Sequence, residues 1–160
     1  MTEHVAPIDV ARLAERAESG GEAVAAVLCV APARYAGARL VRFAGGRLLG
    51  TLGHAELDTA ARTLATRALT TREPAFTETV RLSGADATLY VESFHAPEQL
   101  VVVGAGHIAV PLARHGVALG FRVTVLDDRE EFATADRFPA EATVLRTDFE
   151  SDPFAALTIG

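Results

Sequence analysis

The residues with the clearest chemical purpose form the run Gly104-Ala-Gly106-His-Ile-Ala109, which follows the apolar segment Leu100-Val-Val-Val103 and opens a helical pattern. A glycine at 104 permits a tight turn out of a strand. A glycine at 106 has no side chain to hold a phosphate away from the backbone, and Ala109 is small enough for a helix to pack closely on the strand. Backbone N–H groups at Ala105, Gly106, His107 and Ile108, aided by the dipole of the helix they open, would bind the phosphate of a nucleotide or another phosphate ester. Asp127 ends the next strand about 20 residues on, where a carboxylate accepts from a ribose hydroxyl. Asp128 and Arg129 follow it. Arg129 could meet a 2′-phosphate, but two adjacent carboxylates would repel one, so NAD is expected over NADP. Two alternatives stay open: the glycines could serve sterics alone, and His107 could either touch a ligand or bond to backbone at the helix start.

Those residues need a scaffold. Leu100–Val103 is short and wholly apolar, as expected of a strand buried on both faces of a parallel sheet. A helix runs to about Leu119 with Gly120 at its C-terminal end. Phe121–Leu126 reads as a second strand and Ala142–Leu145 as a third. Residues 98–160 are thus expected to be the first half of a Rossmann-type α/β domain that binds a nucleotide. Residues 1–97 read as a small α+β domain. Its expected elements are a helix over Ile8–Ser19 capped by Asp9, a strand over Val24–Val30, and a hairpin of Leu40–Phe43 with Arg47–Thr51 about Gly45-Gly46. A helix over Leu57–Leu69 follows, with Glu56 and Asp58 in its first turn, then strands over Ala75–Leu82 and Thr88–Phe94. His95-Ala-Pro-Glu-Gln99 reads as the linker.

Composition narrows the function. Of 160 residues 49% are hydrophobic and 22% charged, with a net charge of −6. No Lys/Arg block marks a nucleic-acid or anionic-membrane surface, so nucleic acid is not an expected partner. The longest apolar stretch, Leu100–Ala113, covers about 14 residues, too few to span a bilayer. With no apolar core region at the N-terminus, the protein is expected in the cytoplasm. The single cysteine, Cys29, lies in an apolar run and reads as a small buried hydrophobe in a reducing compartment. His54, Glu56 and Asp58 are close in sequence, but they read as capping and dipole residues rather than metal ligands. No Ser–His–Asp constellation or G-x-S-x-G elbow occurs, so no catalytic residue is assigned and no turnover is expected.

Three stretches together resemble the xanthine dehydrogenase accessory factor (XdhC/CoxI) family: Leu100-Val-Val-Val-Gly-Ala-Gly-His-Ile-Ala109, Leu119-Gly-Phe-Arg-Val-Thr-Val-Leu-Asp-Asp-Arg129 and Arg137-Phe-Pro139. Upstream, Gly37-Ala-Arg-Leu40 and Gly45-Gly-Arg-Leu-Leu-Gly-Thr-Leu-Gly53 are similar to the family's small N-terminal domain. The resemblance implies a maturation factor that binds molybdenum cofactor, assists its sulfuration by a partner cysteine desulfurase, and delivers it to a xanthine dehydrogenase-type molybdoenzyme. NAD(P) binding by an oxidoreductase or nucleotide sensor is the alternative that the loop alone would support. The chain departs from the family at two places. His54-Ala-Glu-Leu-Asp58 stands where Gly-Gly-Cys-Val-Glu is typical, and Ser83-Gly-Ala stands where Cys-Gly-Gly is common. It also stops before the family's remaining Rossmann strands. A divergent, shortened member is therefore expected, and a homodimer to cover the open edge of Leu100–Val103.

Overall fold

Two units, Met1–Ala96 and Pro97–Gly160, make up the chain in a computed structural model that describes residues 4–155 and 157. In the first unit, strand β1 (Val24–Ala31) is apolar throughout because helices cover the sheet on both sides. It is the middle strand of a five-stranded antiparallel sheet of order β3-β2-β1-β5-β4. The others are β2 (Arg39–Phe43), β3 (Leu48–Thr51), β4 (Ala75–Arg81) and β5 (Asp86–Phe94). Ala25, Val27 and Cys29 point to one face and pack with Leu57, Ala61, Leu64, Ala65 and Ala68 of helix α2 (Ala55–Thr71). Val24 and Ala26 point to the other and join Val5, Ala17, Val41 and Phe43 beneath helix α1 (Pro7–Glu18). The period-two alternation of β5, with Ala87, Leu89 and Val91 buried, places its apolar residues on the α2 side. Edge strand β4 alternates exposed and half-buried residues, and its Glu78 pairs with Arg67 of α2 at 2.7 Å.

The helix starts differ from the sequence expectation in one respect. Asp9 sits at the third helical position rather than the cap, and its carboxylate accepts from the backbone N–H of Ala6 at 3.0 Å. It still satisfies an orphan donor, by the reciprocal half of a capping box.

The second unit holds three parallel strands in the order β6-β7-β8: β6 (Gln99–Val103), β7 (Arg122–Asp127) and β8 (Thr143–Arg146). Helix α3 (Ala109–Ala118) crosses over from β6 to β7. In register, Leu100 pairs with Val123 and Val102 with Val125. Helix and strands approach closely at Gly116, where an added Cβ would lie 2.6 Å from Leu100 Cδ2 and 2.9 Å from Val123 Cγ2. One expectation is corrected here. β6 is not buried on both faces: it is an edge of its sheet among the described residues, only Val102 is buried, and Val103 is 57% exposed. The doubly buried strand is β7, with Val123, Val125, Leu126 and Asp127 all inside. Strand order explains the exchange, since β7 has a neighbour on each side and β6 has one. The Arg137-Phe-Pro139 stretch is structural. Phe138 is buried in the α3 core, and Arg137 donates to the Phe132 carbonyl at 2.9 Å.

Candidate phosphate site

The chain leaves β6 through Gly104, whose φ of +93° lies in the left-handed region that side chains avoid. Its N–H bonds the Leu126 carbonyl at 2.7 Å, carrying the parallel ladder one residue past the strand. That anchor turns the chain at once into the loop before α3. At Gly106 an added Cβ would meet nothing within 4 Å, so the backbone there is open on its outer side. The N–H groups of Gly106, His107 and Ile108 have no acceptor among the described residues. Ala109 closes the loop with its N–H on the Gly106 carbonyl at 3.1 Å, and its side chain is buried against the sheet. Unbonded donors at a helix start are what a phosphate needs. His107 is exposed, and its ring bonds no backbone group among the described residues, which leaves it facing the space outside the loop. Ile108 is 68% exposed and offers only its N–H to a ligand.

Two members of the expected site do something else. The Ala105 N–H is not free: it donates to Asp127 Oδ2 at 2.6 Å. Ala105 itself is wholly buried. Asp127, expected to face a ribose, is also wholly buried. Its carboxylate takes the Arg129 N–H and Nε on Oδ1, each at 2.9 Å, and Arg129 Nη2 on Oδ2 at 2.8 Å. The Arg129 guanidinium holds the Asp127 carboxyl far below the usual carboxylate range. The backbone N–H groups of Ala105 and Arg129 act the same way, and burial opposes them. The guanidinium is seated from the side by Phe132, with its carbon 4.0 Å from the ring centroid. Asp128 is half exposed, its Oδ1 3.8 Å from Arg129 Nε, and its carbonyl accepts from Arg146 at 3.3 Å. Arg146 also pairs with Glu130 at 2.9 Å, an exposed ion pair.

The sequence pattern placed an acid at the end of β7 but could not show that Arg129, two residues on, folds back onto it. Nor did it single out Phe132 or Gly116. A bulky residue at 116 would have pushed the helix away from β6 and β7, so this glycine was a readable signal.

In the first unit the residues near the family's usual cysteine positions make internal bonds. Glu56 accepts from the backbone N–H of Ser83 at 2.9 Å and from its hydroxyl. These bonds, the hydroxyl first, lower the carboxyl's pKa. Asp58 accepts from Thr51 Oγ1 at 2.6 Å and from the Leu52 N–H at 2.7 Å, fixing the turn into α2. His54 stacks at a tilt on Tyr35 with 5.7 Å between ring centroids. Among the described residues no group of three His, Cys, Asp or Glu side chains could hold a metal ion, and no helix is long and apolar enough to cross a membrane. Cys29 is 0% exposed and donates to the Ala31 carbonyl, and burial pushes its thiol pKa up.

A parallel β–loop–α–β unit of this kind is the opening of a Rossmann-type domain. Residues 100–159 match the family described as the XdhC Rossmann domain. The second unit is therefore similar to the XdhC Rossmann domain over residues 100–159. A curated relative, the uncharacterized protein YqeB of Escherichia coli (strain K12), is 28% identical over 136 residues, covering 79% of this chain and 25% of the relative. The chain thus spans about a quarter of that relative's length. A crystal structure described as a xanthine dehydrogenase from Bacillus halodurans aligns over 94% of this chain and 71% of that chain, at 15% identity and a TM-score of 0.39.

Proposed function

We propose that the chain is an accessory factor that binds molybdenum cofactor and assists its sulfuration and insertion into a xanthine dehydrogenase-type molybdoenzyme. The family match of residues 100–159 supports this reading, and the observation that carries it is the open donor set at Gly106, His107 and Ile108. These three N–H groups fit the single phosphate of a pterin cofactor, and the missing side chain at 106 lets it approach. Once delivered, the cofactor supplies redox-active molybdenum to the recipient enzyme. This chain's own part is to hold the phosphate and release it, with no turnover of its own.

The residues do not fit a sulfur-carrying role. The one thiol is buried, and Glu56 and Ser83, near the family's cysteine positions, bond to each other instead. Sulfur transfer in this reading falls to the partner cysteine desulfurase. Pigment released by acid from protein freshly purified from cofactor-producing cells is expected to show pterin fluorescence. An adenine dinucleotide in its place would favour the NAD(P)-binding oxidoreductase or sensor.

The same reading includes a homodimer. Strand β6 is an end strand of its sheet among the described residues, and Val103 at its end is exposed. Unpaired strand edges associate readily, and a two-fold pairing covers both copies at once. Light scattering of the purified chain at tens of micromolar is expected to give twice the monomer mass. A clean monomer would refute the pairing.

A further inference from the structure

We propose that the Asp127–Arg129 pair is a specificity filter that withdraws the β7 carboxylate from ligand recognition. The phosphate loop then takes phosphate esters and pyrophosphates without reading a vicinal diol. This inference rests on the phosphate-site reading above and adds which ligands that site distinguishes.

In a dinucleotide-binding Rossmann domain the acid after the second strand accepts from ribose hydroxyls, which requires carboxylate lone pairs facing the ligand. An ionised carboxylate offers about four acceptor positions. Here four donors reach the two oxygens: the Ala105 N–H at 2.6 Å, the Arg129 N–H and Nε at 2.9 Å, and Arg129 Nη2 at 2.8 Å. The side chain is 0% exposed, so a hydroxyl has neither a free lone pair nor a path to one. The two backbone donors cannot leave without refolding the loop. The guanidinium is held from two directions, by its fork on Asp127 and by Phe132 at 4.0 Å. It is nevertheless the one part of the seal that a substitution can remove, and it is half exposed. The ribose diol of NAD therefore does not fit this site in the usual way. A phosphate ester that carries no diol loses nothing by the arrangement.

The test compares ADP, 2′,3′-dideoxy-ADP and inorganic pyrophosphate by isothermal titration. The parent protein is expected to bind ADP and its dideoxy analogue within about threefold of each other. Arg129→Ala frees one acceptor position on each oxygen and should create a preference for ADP of about tenfold or more, the size of a hydrogen bond to a charged group. Arg129→Lys keeps the charge but breaks the fork, and should fall between the two. It also guards against reading a folding defect as a change in specificity. A parent preference for ADP of tenfold would overturn the filter, and so would folded Arg129→Ala protein with no gain in preference. A parent preference that vanishes in Asp128→Asn would move diol recognition to Asp128 and overturn it equally. Pyrophosphate separates the two levels of the argument. If pyrophosphate binds while the parent prefers the diol, only the filter fails; if it binds to none of the proteins, the phosphate-site reading fails and takes the filter with it.

Discussion

Gly106→Glu protein is expected to fold as its parent does and to bind pyrophosphate or a pterin phosphate about a hundredfold more weakly, or not at all. The backbone at 106 has no positive φ to strain, and a Cβ there meets nothing within 4 Å, so a side chain enters open space. The N–H groups of Gly106, His107 and Ile108 beside it have no acceptor among the described residues. A glutamate would place its own carboxylate where the phosphate belongs, using the donors internally and repelling any second anion. Gly106→Ala adds bulk without charge and should lose much less. Circular dichroism and thermal melting check the fold, and titration checks the affinity. Unchanged affinity in the glutamate variant would place the site elsewhere in the molecule.

Asp127→Asn should destabilise the second unit by about 2–3 kcal/mol at neutral pH, because one carboxylate oxygen becomes an amide that meets buried donors with donors of its own. The half-exposed guanidinium of Arg129 can recover water, which keeps the loss below that of a fully buried broken pair. The dependence on pH has a definite sign. Folding depresses the Asp127 pKa, so the carboxylate's contribution is complete above its unfolded value of about 3.9 and drains away as pH falls below that toward the folded value. The parent should therefore lose stability on acidification below about pH 4 more steeply than Asp127→Asn, and the two curves should converge. Denaturant titration across that range, with amide exchange at Ala105 as a local probe, measures both effects. Equal stability at neutral pH would mean that the carboxylate does not brace the loop.

Much of this molecule could be read from its residues because each signal was local. The continuous apolar run at Val24–Val30 marked a strand, and β1 is that strand; the structure adds that it packs on both faces. The hairpin about Gly45-Gly46 forms, with the Phe43 N–H on the Arg47 carbonyl at 2.9 Å. The helical spacing of Leu57, Ala60, Ala61, Leu64, Ala65 and Ala68 marks an apolar stripe, and it is the inner face of α2, with Ala60 only partly buried. Gly104, Gly106 and Ala109 each need only their immediate neighbours to define a turn, an open backbone and a close helix start. The type of the second domain followed from that loop between two β-rich runs.

What the sequence could not carry was occupancy. An apolar run reads the same whether its strand lies at an edge or between neighbours, because hydrophobicity reports burial potential and strand order decides burial. So β6 proved to be an edge and β7 the buried strand. An acid in register after β7 likewise reads as a ligand group until its lone pairs are counted in space. Only the tertiary structure brings Ala105 from the loop and Arg129 from beyond the strand onto the same two oxygens. The residue types and spacing determined that a glycine-rich loop and a following acid exist. The fold decided that the N–H groups of Gly106, His107 and Ile108 are left without an acceptor among the described residues and that the acid is fully engaged, because a buried carboxylate must be fully bonded to stay charged.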